Sequence, residues 1–142
     1  MPFSGALHPA RCTLALRQDL VVNEARRQYQ DAIDRLVRSC HEGQGRIASD
    51  RVRSGVWNLN ADGLSDDLPD QAAMNDLLRR LDAEDRELLA DFFAQQFVSG
   101  VHETLVVLNA AEIPPFEDGY EGTPFHDFVG RLEGWPWPRD GE

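Results

Sequence analysis

Two histidine–acid pairs, His102-Glu103 and His126-Asp127, are the side chains of this sequence best equipped for chemistry. An imidazole beside a carboxylate can move a proton or contribute to a metal site. The spacing argues against a ready-made centre. In "HETLV" the position that would hold the second histidine of an HExxH zinc motif is Val106. No cluster of Cys or His completes a four-ligand set, so no metal and no cofactor is expected, and no catalytic residue is assigned. The alternative kept open is an enzyme, or a small-ligand or metal-binding protein, whose site gathers His102, Glu103, His126, Asp127 and Arg131 from two separate helices. Without that convergence, each histidine sits at a helix edge, hydrogen-bonded or solvated.

Three weaker patterns complete the inventory. "GQGRIA" at 43–48 fits a Gly-x-Gly-x-x-Ala dinucleotide pattern. That motif works between a strand and a helix, and here a helix precedes it, so it is read as a helix end and turn. "NLNADGLSDDLP" at 58–69 places Asn58, Asn60, Asp62, Gly63 and Asp66 as in a calcium loop. Its twelfth position is Pro69 instead of a bidentate Glu, so a polar loop is expected. Cys40 and His41 are adjacent on a helix, where neighbours diverge, which makes a poor nucleophile–base pair.

The elements that must position these residues are helical. Val22, Ala25, Tyr29, Ile33, Leu36, Val37 and Cys40 recur at 3–4 spacing after Asp19 and stop at Gly43 and Gly45. Residues 46–57 read as a short helix running into a loop anchored by Trp57. Asp70 is expected to cap a helix whose Ala73, Met74, Leu77, Leu78 and Leu81 face inward. Asp82 followed by Asp85 opens a long apolar stripe from Leu88 to Leu108, ended by Pro114 and Pro115. In "TPFHDFVGRLEG", Thr123 is the N-cap, Pro124 takes the first turn and Gly134 stops the helix. The expected fold is all-α: a single-domain bundle of four to five helices with a long central helix and a short C-terminal one. Residues 1–18 are expected as a flexible arm, 19–138 as the helical domain and 139–142 as a tail.

Charge is unevenly distributed. Residues 1–81 hold eleven acids and eleven arginines; residues 82–142 hold fourteen acids and three arginines, so the whole net charge of −11 falls in the second stretch. There is no lysine, a composition bias to which no function is attached. A negative surface repels nucleic acid and favours basic proteins, although solubility alone also accounts for it. No apolar run is long enough for a membrane span. Two cysteines without CxxC spacing fit a reduced, cytoplasmic protein.

The segment "SGVHETLVVLNA…GYEGTPFHDFVGRLEGWPWP" resembles the C-terminal signature of small, acidic bacterial proteins of unknown function. There a "G-[IV]-H-[DE]" helix precedes a "H-x-D-F-x-x-R-L-x-G-W-x-W-P"-like ending. The resemblance covers the last 60 residues or so; the direct His126-Asp127 adjacency departs from it. It implies a helical fold and a bacterial origin and supplies no activity.

The function expected from these features is a helical binding protein that neutralises or regulates a basic protein partner, as immunity and antitoxin-like proteins do. Glu112, Glu117, Asp118, Glu121 and Glu133 would steer the encounter, with Tyr120, Trp135 and Trp137 as anchors. The competing reading of "WPWP" is that proline stiffens the tail so that the indoles lie across the bundle. A homodimer through Tyr29, Ile33 and Leu36 is a further alternative. DNA binding ranks last, on a local patch of Arg46, Arg51 and Arg53.

Overall fold

The computed structural model describes residues 9–138 except residue 121, with side chains from residue 20 onward. Its elements are α1 (Pro9–Glu42), α2 (Gln44–Ser54), a 3-10 turn (Ala61–Leu64), α3 (Pro69–Arg80), α4 (Ala83–Ala110) and α5 (Pro124–Leu132). No strand occurs among the described residues, and the fold is all-α. Helix α1 begins ten residues before the start expected at Asp19. The first eight residues and the last four lie outside the described residues.

Helix α4 is the axis. At 1.5 Å per residue its 28 residues run about 42 Å. That length lets it serve two separate cores. Near its N-terminus Ala90 packs with Val52 of α2 and Leu78 of α3, surrounded by Trp57, Met74, Leu89 and Phe93. Near its C-terminus Leu105 packs with Tyr29, Ile33 and Cys40 of α1 and Phe128 of α5. Tyr29 and Ile33 are thus consumed inside the chain, while Leu36, the third residue considered for a homodimer, is half-buried. Burial raises the thiol pKa of Cys40, which is unpaired.

The Gly43-Gln44-Gly45 link between α1 and α2 has a steric purpose. A Cβ at Gly45 would meet the Phe97 ring at 2.9 Å and the Cys40 carbonyl at 3.0 Å. Only glycine lets α2 start this close to α4. The dinucleotide-like pattern is therefore a helix–helix junction, as its context in the sequence indicates.

Two local expectations are corrected. Helix α3 starts at Pro69 with Leu68 at the N-cap, so Asp70 lies inside the first turn instead of capping it. Proline loses nothing at that position, and Asp70 still suits the positive helix end. The face of α3 is also rotated: Ala73 and Leu77 are exposed, while Asn75 and Leu78 are fully buried. Asn75 is drawn inward by the loop before it. Its Oδ1 accepts from the amides of Trp57 (2.7 Å) and Asn58 (3.1 Å). Its Nδ2 donates to the Asn58 carbonyl (2.8 Å) and to Asp62 (3.1 Å). Arg79 takes the other oxygen of Asp62. In the loop with calcium-like spacing, the oxygens of Asn58 and Asp62 are thus engaged within the protein.

Candidate functional site

The C-terminal end of the molecule is organised by α5. Thr123 caps it, accepting from the His126 amide at 3.3 Å, and Pro124 fills the first turn. Successive helical residues diverge by about 100°. His126 therefore points to solvent while Asp127 turns into the core, 7% exposed.

Among the described residues the Asp127 carboxylate has no arginine partner. Its Oδ2 accepts from the Tyr29 hydroxyl and from the Tyr120 amide at 2.6 Å. The Tyr29 phenol is pushed far above its ordinary pKa, first by burial and then by the hydrogen bond to Asp127. A phenol held neutral in this way donates a proton to a fixed partner and does not act as a base. The pair is a latch between α1, α5 and the loop before α5.

A second latch uses Asp34 of α1. One oxygen accepts from Arg131 Nε at 2.8 Å and the other from Trp137 Nε1 at 3.1 Å. Arg131 also donates to the Trp135 carbonyl and lies 5.5 Å from the Trp137 ring centre. Tyr120 donates to the Pro138 carbonyl at 3.3 Å. The Trp137 ring sits edge-on to Tyr29, 6.1 Å between centroids, and tilted against Tyr120 at 5.7 Å. Gly134, at φ 82, ends α5 and turns Trp135 back over Gly130.

Of the expected anchors, Tyr120 and Trp137 are thus half-buried and engaged within the chain, whereas Trp135 is 57% exposed. Glu112, Glu117, Asp118 and Glu133 are exposed and make no ion pair among the described residues. Glu121 lies outside the described residues. Arg26 sits 4.7 Å from the Tyr120 ring centre and lines the same crevice as Glu117 and Asp118.

The histidine–acid pairs are placed apart in role. His102 packs edge-on against Phe125 at 5.4 Å, with its Nδ1 3.5 Å from the exposed Glu103. His126 packs against Trp135 at 6.3 Å. Asp127 is turned away into the core. Among the described residues no group of three or more His, Cys, Asp or Glu side chains is arranged to hold a metal ion.

At the other end, the arginines considered as a basic patch are engaged. Arg46 bonds Asp50 at 2.8 Å and holds that carboxyl below its usual range. Arg53 bridges from α2 to Glu87 and Asp91 of α4, each at 2.8 Å. Arg51 lies over Trp57.

Sequence reasoning missed Tyr29 and Asp34 as partners of the C-terminal segment. Tyr29 carried a faint signal, a polar tip on an otherwise apolar stripe. Asp34 carried none, since its partners are about a hundred residues away in sequence.

A match to a family of unknown function (DUF6547) spans residues 22–139. The chain belongs to that family. The match begins on α1, well before the C-terminal stretch that carried the resemblance, and takes in both cores and the latches. No curated protein and no solved structure matches the chain. No helix among the described residues is long and apolar enough to cross a membrane.

Proposed function

We propose that this chain is a small acidic binding protein, without catalysis, that neutralises or regulates a basic protein partner in the manner of immunity and antitoxin-like proteins. The observation that carries the reading is the set of exposed carboxylates at the C-terminal end. Glu112, Glu117, Asp118 and Glu133 lack ion-pair partners among the described residues, as do Asp66, Asp67, Glu84 and Asp85 at the opposite end, where Arg53 matches Glu87 and Asp91. Unpaired surface acids set up a negative field that speeds encounter with a cationic surface and disfavours anionic ones. Trp135 supplies an exposed aromatic beside them. In this reading Tyr120 and Trp137 act indirectly, holding the acidic loop in shape. The buried free thiol of Cys40 suits a reducing, cytoplasmic setting.

The test is capture of partners by the tagged full chain from its native lysate, at low and at moderate salt, read by mass spectrometry. A stoichiometric basic partner that washes off as salt rises supports the reading. Capture that ignores salt removes the electrostatic part, since exposed charges are screened within about 8–10 Å under those conditions.

A further inference from the structure

Residues 135–138 lie across the molecule as a strap, outside its helices. Their one backbone–backbone bond among the described residues is at the root, from the Trp135 amide to the Gly130 carbonyl at 2.9 Å. Pro136 and Pro138 have no amide hydrogen to give. What holds the strap is side chains. Arg131 donates to the Trp135 carbonyl, and the Tyr120 hydroxyl to the Pro138 carbonyl. The Trp137 indole donates to Asp34 and lies against the rings of Tyr29 and Tyr120, with the Arg131 guanidinium near its face. A space of about 30 Å³ remains between the strap and α5.

Carbonyls three residues apart each meet a donor, the indole N–H meets an acceptor, and aromatic rings form the wall. Aromatic-lined grooves hold extended, proline-rich segments of other chains with this chemistry. Here the segment and its seat belong to one chain, joined through Gly134 at φ 82. Glycine populates positive and negative φ about equally well, so the joint can redirect the strap at little steric cost. The seat itself is built from α1, α5 and the loop before α5, and needs nothing from the strap's own connection. A second copy offers the same seat. Every bond lost on leaving one copy is remade in the other, so concentration and the hinge set the balance. Four extended residues reach about 13 Å, so the C-terminal ends of two α5 helices must abut for the exchange. Trp135, exposed at that end, would be covered there.

We infer that residues 135–138 are an exchangeable strap: two copies of this chain trade them across abutting α5 ends, and each seat is filled by Trp137 of the other copy. The exchange does not depend on the basic-partner reading and responds to salt in the opposite sense. Glu133 precedes the hinge, and Glu117 and Asp118 stand in the loop that carries Tyr120. Two such ends repel, so screening should tighten the dimer, whereas it loosens a basic partner.

The experiment is sedimentation of the full chain at concentrations up to about 1 mM, the effective concentration of a short tether. A monomer–dimer equilibrium that shifts toward dimer as salt rises is expected. Trp137→Ala keeps the seat and loses the indole; Asp34→Ala keeps the strap and loses the acceptor. Each should weaken the dimer at least about 10-fold. Mixed together they should form a one-to-one dimer where neither does alone, since the intact strap of one meets the intact seat of the other. A peptide of residues 134–138 should bind the Trp137→Ala chain and block that mixed dimer. If the wild-type chain and the mixture both stay monomeric, the strap is a fixed clamp and the inference is overturned. A dimer that persists in Trp137→Ala uses another surface and overturns it as well. So does a peptide that fails to bind a Trp137→Ala chain whose Trp57 environment is native. A dimer that loosens as salt rises overturns the abutting acidic ends. None of these outcomes bears on the salt-dependent capture of a basic partner.

Discussion

The two ends of α4 solve the same problem with different chemistry. At the N-terminal end the buried polar group is Asn75, a neutral amide that bonds the 57–62 loop through both its donor and its acceptor atoms. At the C-terminal end it is Asp127, a carboxylate satisfied by a phenol and a backbone amide. The first end also matches surface acids with arginine: Arg53 to Glu87 and Asp91, Arg79 to Asp62 and Asp76. The second gives Arg131 to Asp34, and Glu112, Glu117, Asp118 and Glu133 have no ion pair among the described residues. A carboxylate held by neutral donors uses up no cation, but it adds one more negative charge to that end. Both ends still carry exposed acids without an arginine among the described residues, Asp66, Asp67, Glu84 and Asp85 at the first and Glu112, Glu117, Asp118 and Glu133 at the second, so the contrast lies in the buried groups and not in the surface charge.

The comparison is broken most severely at Asp127. Asp127→Ala strands the Tyr29 hydroxyl and the Tyr120 amide in the core. With about 1–3 kcal/mol for each unsatisfied buried group, the expected loss is about 3–5 kcal/mol in denaturant unfolding. Tyr29→Phe removes one donor to a charged acceptor and should cost about 1.5–3 kcal/mol. The double variant should cost less than the sum, because both changes act on one bond. Strict additivity would mean that the two residues are not coupled as a latch.

Asn75→Ala is the matching experiment at the other end. It leaves the amides of Trp57 and Asn58 without their acceptor, and about 2–4 kcal/mol should be lost. The damage should show first in Trp57, which packs 5.8 Å from Phe93, and spare the Trp137 environment. If both ends melt together with unchanged cooperativity, α4 couples them into one unit. If Trp57 reports an earlier transition, they are separable foldons.

How much of this was legible depended on how local the cause was. Helix α5 was readable from Thr123, Pro124 and Gly134 because each acts within a few residues of itself. Asp82 was readable as the cap of α4, accepting from the Asp85 amide at 2.9 Å, for the same reason. The rotated face of α3 was not. Its apolar pattern favoured Ala73 and Leu77, and what overrode it was the demand of a loop some fifteen residues away for an amide. The early start of α1 was missed because residues 9–18 lack a clear apolar stripe, and a long helix can continue without one once its later turns are packed. The candidate site was legible as composition, an acidic end with aromatics. Its geometry was not, because Tyr29 and Asp34 meet Asp127, Arg131 and Trp137 across nearly the whole chain.

A subtler divergence should appear at alkaline pH. Tyr29 and Cys40 both belong to the C-terminal core, and both have folded pKa values raised by burial. A neutral acid of this kind contributes stability that is fully present below its unfolded pKa and is lost as pH climbs through the folded value. The unfolded values are near ~8.5 for a thiol and ~10 for a phenol. Stability should therefore begin to fall above about pH 8.5 and fall more steeply above about pH 10. The loss should centre on the Trp137 end, and Cys40→Ser or Cys40→Ala should remove the first part of the fall. A Trp57 signal that moves first would place the titrating groups elsewhere.

The smallest effect sharpens the comparison most. Helices α2 and α5 end with Gly55 and Gly134 in the left-handed region, at φ 76 and 82, whereas α4 ends with Glu112 at φ 52. The Glu112 turn has the same closure: the Glu112 amide reaches the Asn109 carbonyl and the Ile113 amide that of Leu108, each at 3.0 Å. Glutamate pays about 1–2 kcal/mol for that conformation, and glycine avoids it at an entropic cost of about 0.5–1 kcal/mol. Glu112→Gly should therefore stabilise the chain by about 0.5–1 kcal/mol, while Gly134→Glu at the equivalent turn of α5 should destabilise it. If the carboxylate is there for a partner, the stabilised Glu112→Gly protein should hold a basic partner captured from lysate more weakly and with a shallower salt dependence. Gained stability with unchanged binding would make Glu112 a tolerated imperfection of the turn.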